Sequence, residues 1–132
     1  MGRFQLDPKN YHKLTTLIKE REYSLADIYH QIIGEWPPSV GEVHHVKHRS
    51  AFGPDKAENL IFLSTNFHIW KLHRGSYNSA KDCERRINEY MNTREVKEWN
   101  ERHSEELEEI YKTEPDAEIE RIRRKYRRKK HS

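Results

Sequence analysis

Apolar residues recur first at helical spacing. Tyr11, Leu14, Leu17 and Ile18 follow Asp7 and Pro8, a capping carboxylate and a residue suited to a first turn, so a helix is predicted from Pro8 to about Glu22. Ser24 with Asp27 three positions on resembles a capping box, and Leu25, Ile28, Tyr29, Ile32 and Ile33 predict a second short amphipathic helix ended by Gly34. Trp36, Pro37 and Pro38 then break the helical pattern. The β-branched, alternating stretch from Gly41 to Lys47 predicts a short strand. A twelve-residue polar stretch from Lys47 to Glu58, with Gly53 and Pro54 inside it, separates this strand from Asn59 to Leu63, which reads as its hairpin partner.

Thr65 or Asn66 can cap a following helix that carries His68, Ile69, Trp70, Leu72 and His73 and ends at Gly75. Beyond Tyr77 the pattern is helical in pieces of roughly 79 to 92, 93 to 113 and 116 to 130, with Pro115 as a break. Val96, Trp99, Leu107 and Ile110 form one narrow stripe; Ile119, Ile122 and Tyr126 form another. The fold class that follows is α+β, a β-hairpin plus helix embedded in a mainly α-helical chain. Its expected divisions are a helical brace over 1–40, the hairpin and helix over 41–76, a charged helical region over 77–115 and a basic helix or tail over 116–132.

Composition limits how much of this can be buried. The 132 residues fit one domain, but with 33% hydrophobic and 36% charged residues and a mean hydropathy of -1.18 they predict one small core and well-solvated helices. Three Trp, seven Tyr and four Phe supply the bulky apolar groups that disordered chains lack. The net charge of +3 conceals segregation. Eight acids lie between Glu101 and Glu118, and then Arg121, Arg123, Arg124, Lys125, Arg127, Arg128, Lys129 and Lys130 follow Glu120. Such a block meets phosphate or serves as a solvated tail. The single cysteine, Cys83, has no disulfide partner within the chain, and there is no membrane-length apolar run and no apolar signal core at the N-terminus. An intracellular protein in the cytoplasm of its host cell, not secreted, is expected.

Histidine changes the picture. His44, His45, His48, His68 and His73, five of the nine, fall within thirty residues around the predicted hairpin and its helix. Imidazole titrates near neutral pH and ligates divalent ions, so the cluster points to metal binding, acid–base chemistry or both. A closed structural zinc site is short of ligands, because no cysteine pair accompanies the histidines.

The string GEVHHVKHRSAFGPDKAENLIFLSTNFHIWKLH resembles the HNH motif of the ββα-metal endonucleases, especially phage-encoded and homing members. The resemblance covers roughly residues 41 to 75 and leaves the flanking helices unmatched. It implies a ββα-metal core, a nuclease that hydrolyses DNA phosphodiester bonds to 5′-phosphate and 3′-hydroxyl ends, and a divalent cofactor. Mg2+ or Mn2+ is the expected working ion, with Zn2+ or Ni2+ able to bind in vitro. Carried over residue by residue, it makes His44 and His68 the metal ligands, His45 the general base and Asn59 the residue that orients His45.

Two geometric points accompany the resemblance. Successive side chains leave a strand on opposite faces, so for His44 and His45 to share a site the strand has to bend or end there. His73 lies five residues after His68, about 140° away on a regular α-helix, which leaves it to packing, phosphate contact or, through an irregular helix end, the metal. His48, Arg49, Lys56, Lys71 and Arg74 are placed to meet phosphates, and Arg121, Arg123, Arg124, Arg127 and Arg128 to bind DNA from the basic terminus. A single motif implies nicking, whereas double-strand cleavage needs a dimer, and monomer and homodimer both stay open. The helical stripes can pack on the core, pair with a second copy or lie along DNA. The competing readings are a noncatalytic nucleic-acid-binding protein acting through its basic C-terminus, and a metal-stabilised interaction module using the charged helices.

Overall fold

The computed structural model describes residues 4–112; the expected helix over 116 to 130 and the basic terminus lie outside the described residues. Helix α1 spans Pro8–Ser24, with the Asp7 carboxylate accepting from the backbone N–H of Asn10 at 2.8 Å. It runs two residues beyond the expected end. Ser24 is therefore inside a helix, and α2 (Ala26–Ile33) starts after Leu25 alone, with no side chain capping it. The expected Ser24–Asp27 capping box does not form, because backbone bonds continue through the junction, from Leu25 N–H to Arg21 O and from Tyr29 N–H to Leu25 O. Gly34 ends α2 at φ 89°, a left-handed conformation open to glycine.

Strands β1 (Glu42–His45) and β2 (Leu60–Leu63) form an antiparallel pair, with His44 opposite Ile61 and His45 opposite Leu60. An eight-residue helical segment, Asn66–His73, follows, and then α3 (Tyr77–Met91), α4 (Arg94–Arg102) and α5 (Ser104–Lys112). The fold is a mainly helical α+β arrangement around one hairpin. A single helix was expected over 93 to 113. It divides at His103, whose imidazole Nδ1 lies 2.8 Å from the Trp99 carbonyl oxygen and competes for a helical acceptor.

Every residue of β2 is buried, and its alternation sorts the core. Ile61 and Leu63 face Tyr29 and Ile33 of α2, Phe67 and Leu72 of segment 66–73, and Ile87 and Tyr90 of α3. Leu60 and Phe62 face Leu14, Leu17 and Ile18 of α1 with Trp99, Leu107 and Ile110 of α4 and α5. Instead of one small core, two apolar clusters sandwich the hairpin, and the stripe on α4 and α5 packs inward.

The side of β2 turned away from β1 presents backbone groups with no strand to receive them. Side chains from α1 and α2 fill the role, with one from α3 behind them. Glu22 accepts from Phe62 N–H at 3.0 Å, Tyr29 donates to Phe62 O at 2.8 Å, and Arg21 donates to Leu60 O at 2.5 Å and Ala57 O at 2.9 Å. Tyr90 closes the network by donating to Glu22 at 2.7 Å. Arg21 and Glu22 have no solvent exposure, so their ion pair stands because every part of it is hydrogen-bonded. The other edge of the hairpin, along β1, is where the histidines gather.

Candidate metal centre

Alternation along β1 places Glu42 and His44 on the α3 side of the hairpin, opposite Leu63 and Ile61, and Val43 and His45 on the α1 side, opposite Phe62 and Leu60. His44 and His45 do leave on opposite faces, and the strand stays paired through His45 before it ends. No bend is needed. Both rings reach round the outer edge of β1 into one open depression of about 570 Å³, lined also by Tyr11, His48, Arg49, His68 and His73.

The second wall comes from segment 66–73, and here the helical register differs from expectation. Its hydrogen bonds close over five residues, as from Arg74 N–H to Ile69 O at 2.8 Å, which makes it a π-helix. Ser64, not Thr65 or Asn66, caps it by accepting from Phe67 N–H at 3.0 Å. Two pairs in the sequence already carry the five-residue period: Phe67 and Leu72 are both buried in the core, and His68 and His73 both face β1. Residues five apart diverge on an α-helix but align on this one. The separation expected between His68 and His73 is therefore absent, and their Nε2 atoms are 3.0 Å apart.

His44, His68 and His73 can each offer a nitrogen to one point, with the three atoms within 4.8 Å of one another. Two imidazole nitrogens bound to one ion at about 2.1 Å and at right angles would be about 3.0 Å apart, so the His68–His73 spacing fits shared ligation. Behind His68, the Glu42 carboxylate accepts from Nδ1–H at 2.5 Å, which fixes the tautomer that leaves Nε2 basic. Three imidazoles with one supporting carboxylate suit a divalent ion and leave its remaining positions to water or phosphate oxygens. The donor set does not select which metal.

Electrostatics favour the neutral forms of His44 and His73. Burial, reinforced by the neighbouring imidazoles, pushes the His44 pKa down to about 3 from 6.5, and burial with His68 and His48 lowers that of His73. Because folded His44 binds its proton less readily than the unfolded chain, metal-free stability should be intact above pH 6.5 and fall as the pH drops from there towards 3. For His44 the contribution is about 1.4 kcal/mol per pH unit within that window. Urea unfolding between pH 7 and pH 4 should show this slope, with His44→Gln shallower than the natural sequence.

His45 belongs to a different constellation. Its Nε2 is 2.8 Å from Oδ1 of the buried Asp55, and its ring lies parallel to Tyr11 with centroids 6.3 Å apart. With Nε2–H donated to the carboxylate, Nδ1 is the basic nitrogen. Asn59 does not orient His45, contrary to expectation. Its amide accepts from Lys47 N–H at 2.7 Å and donates to the carbonyls of Lys47 and Pro54, both at 3.1 Å, because β1 ends there and frees loop backbone groups for it to bind. It holds the loop's two ends together, and Asp55 takes the orienting role.

Among the expected phosphate contacts, Arg49 is brought to the depression, with its guanidinium 5.1 Å from the Tyr11 ring and 3.9 Å from Asp55. His48 lines the same space. Lys71 turns instead to Glu35 at 3.2 Å, Arg74 covers the Trp70 ring, and Lys56 lies over Phe4 and Tyr111. Arg121, Arg123, Arg124, Arg127 and Arg128 lie outside the described residues. Glu42 and Asp55 escaped the sequence reading, although Glu42, two residues before His44, shares its strand face by simple alternation. Comparison with protein-family models, curated proteins and solved structures finds no match.

The three-imidazole group makes a direct prediction. His44→Ala, His68→Ala and His73→Ala should each weaken binding of Zn2+ or Mn2+ by more than Glu42→Gln, for which loss of the supporting carboxylate costs about 10-fold to 100-fold. Calorimetric titration of the metal-free protein measures this. Unchanged affinity in His73→Ala would take His73 out of the site.

Proposed function

We propose that this chain is a metal-dependent endonuclease of the HNH type that hydrolyses DNA phosphodiester bonds, nicking one strand per site. The observation that carries the reading is the opening of two constellations on one depression: a metal-capable trio, His44, His68 and His73, and the His45–Asp55 pair beside it. Residues with the roles that phosphodiester hydrolysis requires are thus within reach of one bound phosphate.

His44, His68 and His73 would hold the ion, with Glu42 steadying His68. A divalent ion, Mg2+ or Mn2+ in this reading, supplies positive charge that stabilises a pentacovalent phosphorus and its departing oxygen. The chain's own contribution is proton transfer and positioning. His45 takes the proton of the attacking water, and the Asp55 carboxylate stabilises the imidazolium that results. Arg49, at the rim, neutralises a phosphate oxygen and fixes the strand. Asn59 keeps the loop bearing Arg49 and Asp55 in place. The water oxygen bonds to phosphorus as the P–O bond to the 3′ oxygen breaks, and the departing alkoxide takes a proton from solvent, giving 5′-phosphate and 3′-hydroxyl ends.

Supercoiled plasmid incubated with the purified chain and Mg2+ or Mn2+ should convert to the open circle, and EDTA should stop the conversion. His45→Ala and His68→Ala proteins, prepared identically, distinguish the chain's own activity from a contaminant's. Absence of nicking with every divalent ion tried would remove the reading.

A further inference from the structure

A second cavity of about 300 Å³ lies on the α3 side of the histidines, at the lower end of the range that small-molecule sites occupy. His44 and His73 line both spaces, so a group seated in this cavity would be the immediate neighbour of a phosphate seated in the open depression. Its walls differ from those of the depression. Val46, Leu72 and Ile87 supply apolar surface, and imidazole rings supply flat faces. Asn88 and Glu84 reach it from successive turns of α3. The Glu84 carboxylate opposes a second phosphate, whereas an uncharged flat group with a hydrogen-bonding edge suits both the walls and the Asn88 amide. That amide has no partner among the described residues.

We propose that this cavity receives the unstacked nucleobase next to the scissile phosphate, and that Asn88 reads its edge. The inference rests on the nuclease reading above. Asparagine can pair through both its donor and its acceptor with a base edge, which is the usual way an amide discriminates between bases. A base must leave its stack to enter, and that costs least in single-stranded or distorted DNA. Single-stranded substrates are therefore cut faster than intact duplex.

The test has two arms, both on the full chain. In the first, a short single-stranded deoxyoligonucleotide is titrated in while the methyl signals of Val46, Leu72 and Ile87 are followed by NMR. Saturable shifts are expected, and Asn88→Trp, which fills the cavity from an exposed position, should remove them. In the second, single-turnover cleavage is measured on oligonucleotides randomised at the nucleotides flanking the cut. Asn88→Ala should reduce the rate ratio between the best and worst flanking base by about 5-fold to 100-fold, the worth of one bidentate base contact. Absent methyl shifts would overturn the pocket, whether or not cleavage occurs. Shifts together with an unchanged base preference in Asn88→Ala would overturn the reading role of Asn88. Shifts without cleavage by the natural sequence would remove the nuclease reading while leaving a base-binding cavity.

Discussion

In the proposed nuclease reaction, replacing His45 by alanine is expected to lower the single-turnover cleavage rate by about 100-fold to 10,000-fold, the usual cost of losing a positioned general base. Metal affinity should hardly change. His45 is on the α1 side of the hairpin and binds Asp55 through Nε2, while the metal-capable nitrogens belong to His44, His68 and His73. Asp55→Asn should lose less, since an amide keeps the ring in position but stabilises its charged form poorly. Quenched-flow or manual time courses at saturating Mn2+, paired with calorimetric metal titration, separate the two effects. Near-normal turnover in His45→Ala would end its assignment as the base, and a collapse in metal affinity would place it among the ligands.

The second large effect concerns stability and lies away from the site. Glu22→Ala should cost about 3 to 5 kcal/mol, because it strands the buried Arg21 charge and leaves Phe62 N–H and the Tyr90 hydroxyl without their acceptor. Burial and the Glu22 carboxylate both raise the pKa of Tyr29 and Tyr90, so the two hydroxyls remain donors through the working pH range. Glu22→Gln should be milder, since it still accepts from the backbone. Replacing Arg21 and Glu22 together by apolar residues should not restore stability, because Leu60 O, Ala57 O and Phe62 N–H would all be orphaned. Urea unfolding of the metal-free proteins measures each case. A loss below about 1 kcal/mol in Glu22→Ala would mean that water replaces the carboxylate along the strand.

These two residues also mark where sequence reading stops. The two strands of the hairpin, the caps at Asp7 and Gly34 and the histidine cluster were legible because local chemistry determines them. That Arg21 and Glu22 lie fully buried was not legible, since adjacent charges near the end of an amphipathic helix ordinarily face water and only the open side of a distant strand calls them inward. Asn59 was singled out by the resemblance to the HNH motif. Its partners were misassigned because an amide's capacity to bond does not reveal which backbone groups a ending strand leaves free. Asp55 sits in a polar loop where nothing periodic distinguishes it from Glu58. The place of His73 depended on the ring size of the helical hydrogen bonds, and the α-helical period assumed for it was the wrong one.

The π-helix has a further consequence for how such a site tolerates change. Side chains four apart on an α-helix share a face, as those five apart do here. A chain one residue shorter between His68 and His73 could therefore present the same pair of imidazoles, and the Phe67 and Leu72 anchors with them, from an ordinary α-helix. The exposed Trp70 lies within that interval. Spacing along the sequence and spacing around the axis are thus separable quantities in this segment. Length variation that would unseat a ligand on β1, where one residue exchanges the two faces, can be absorbed here by a change of helical winding.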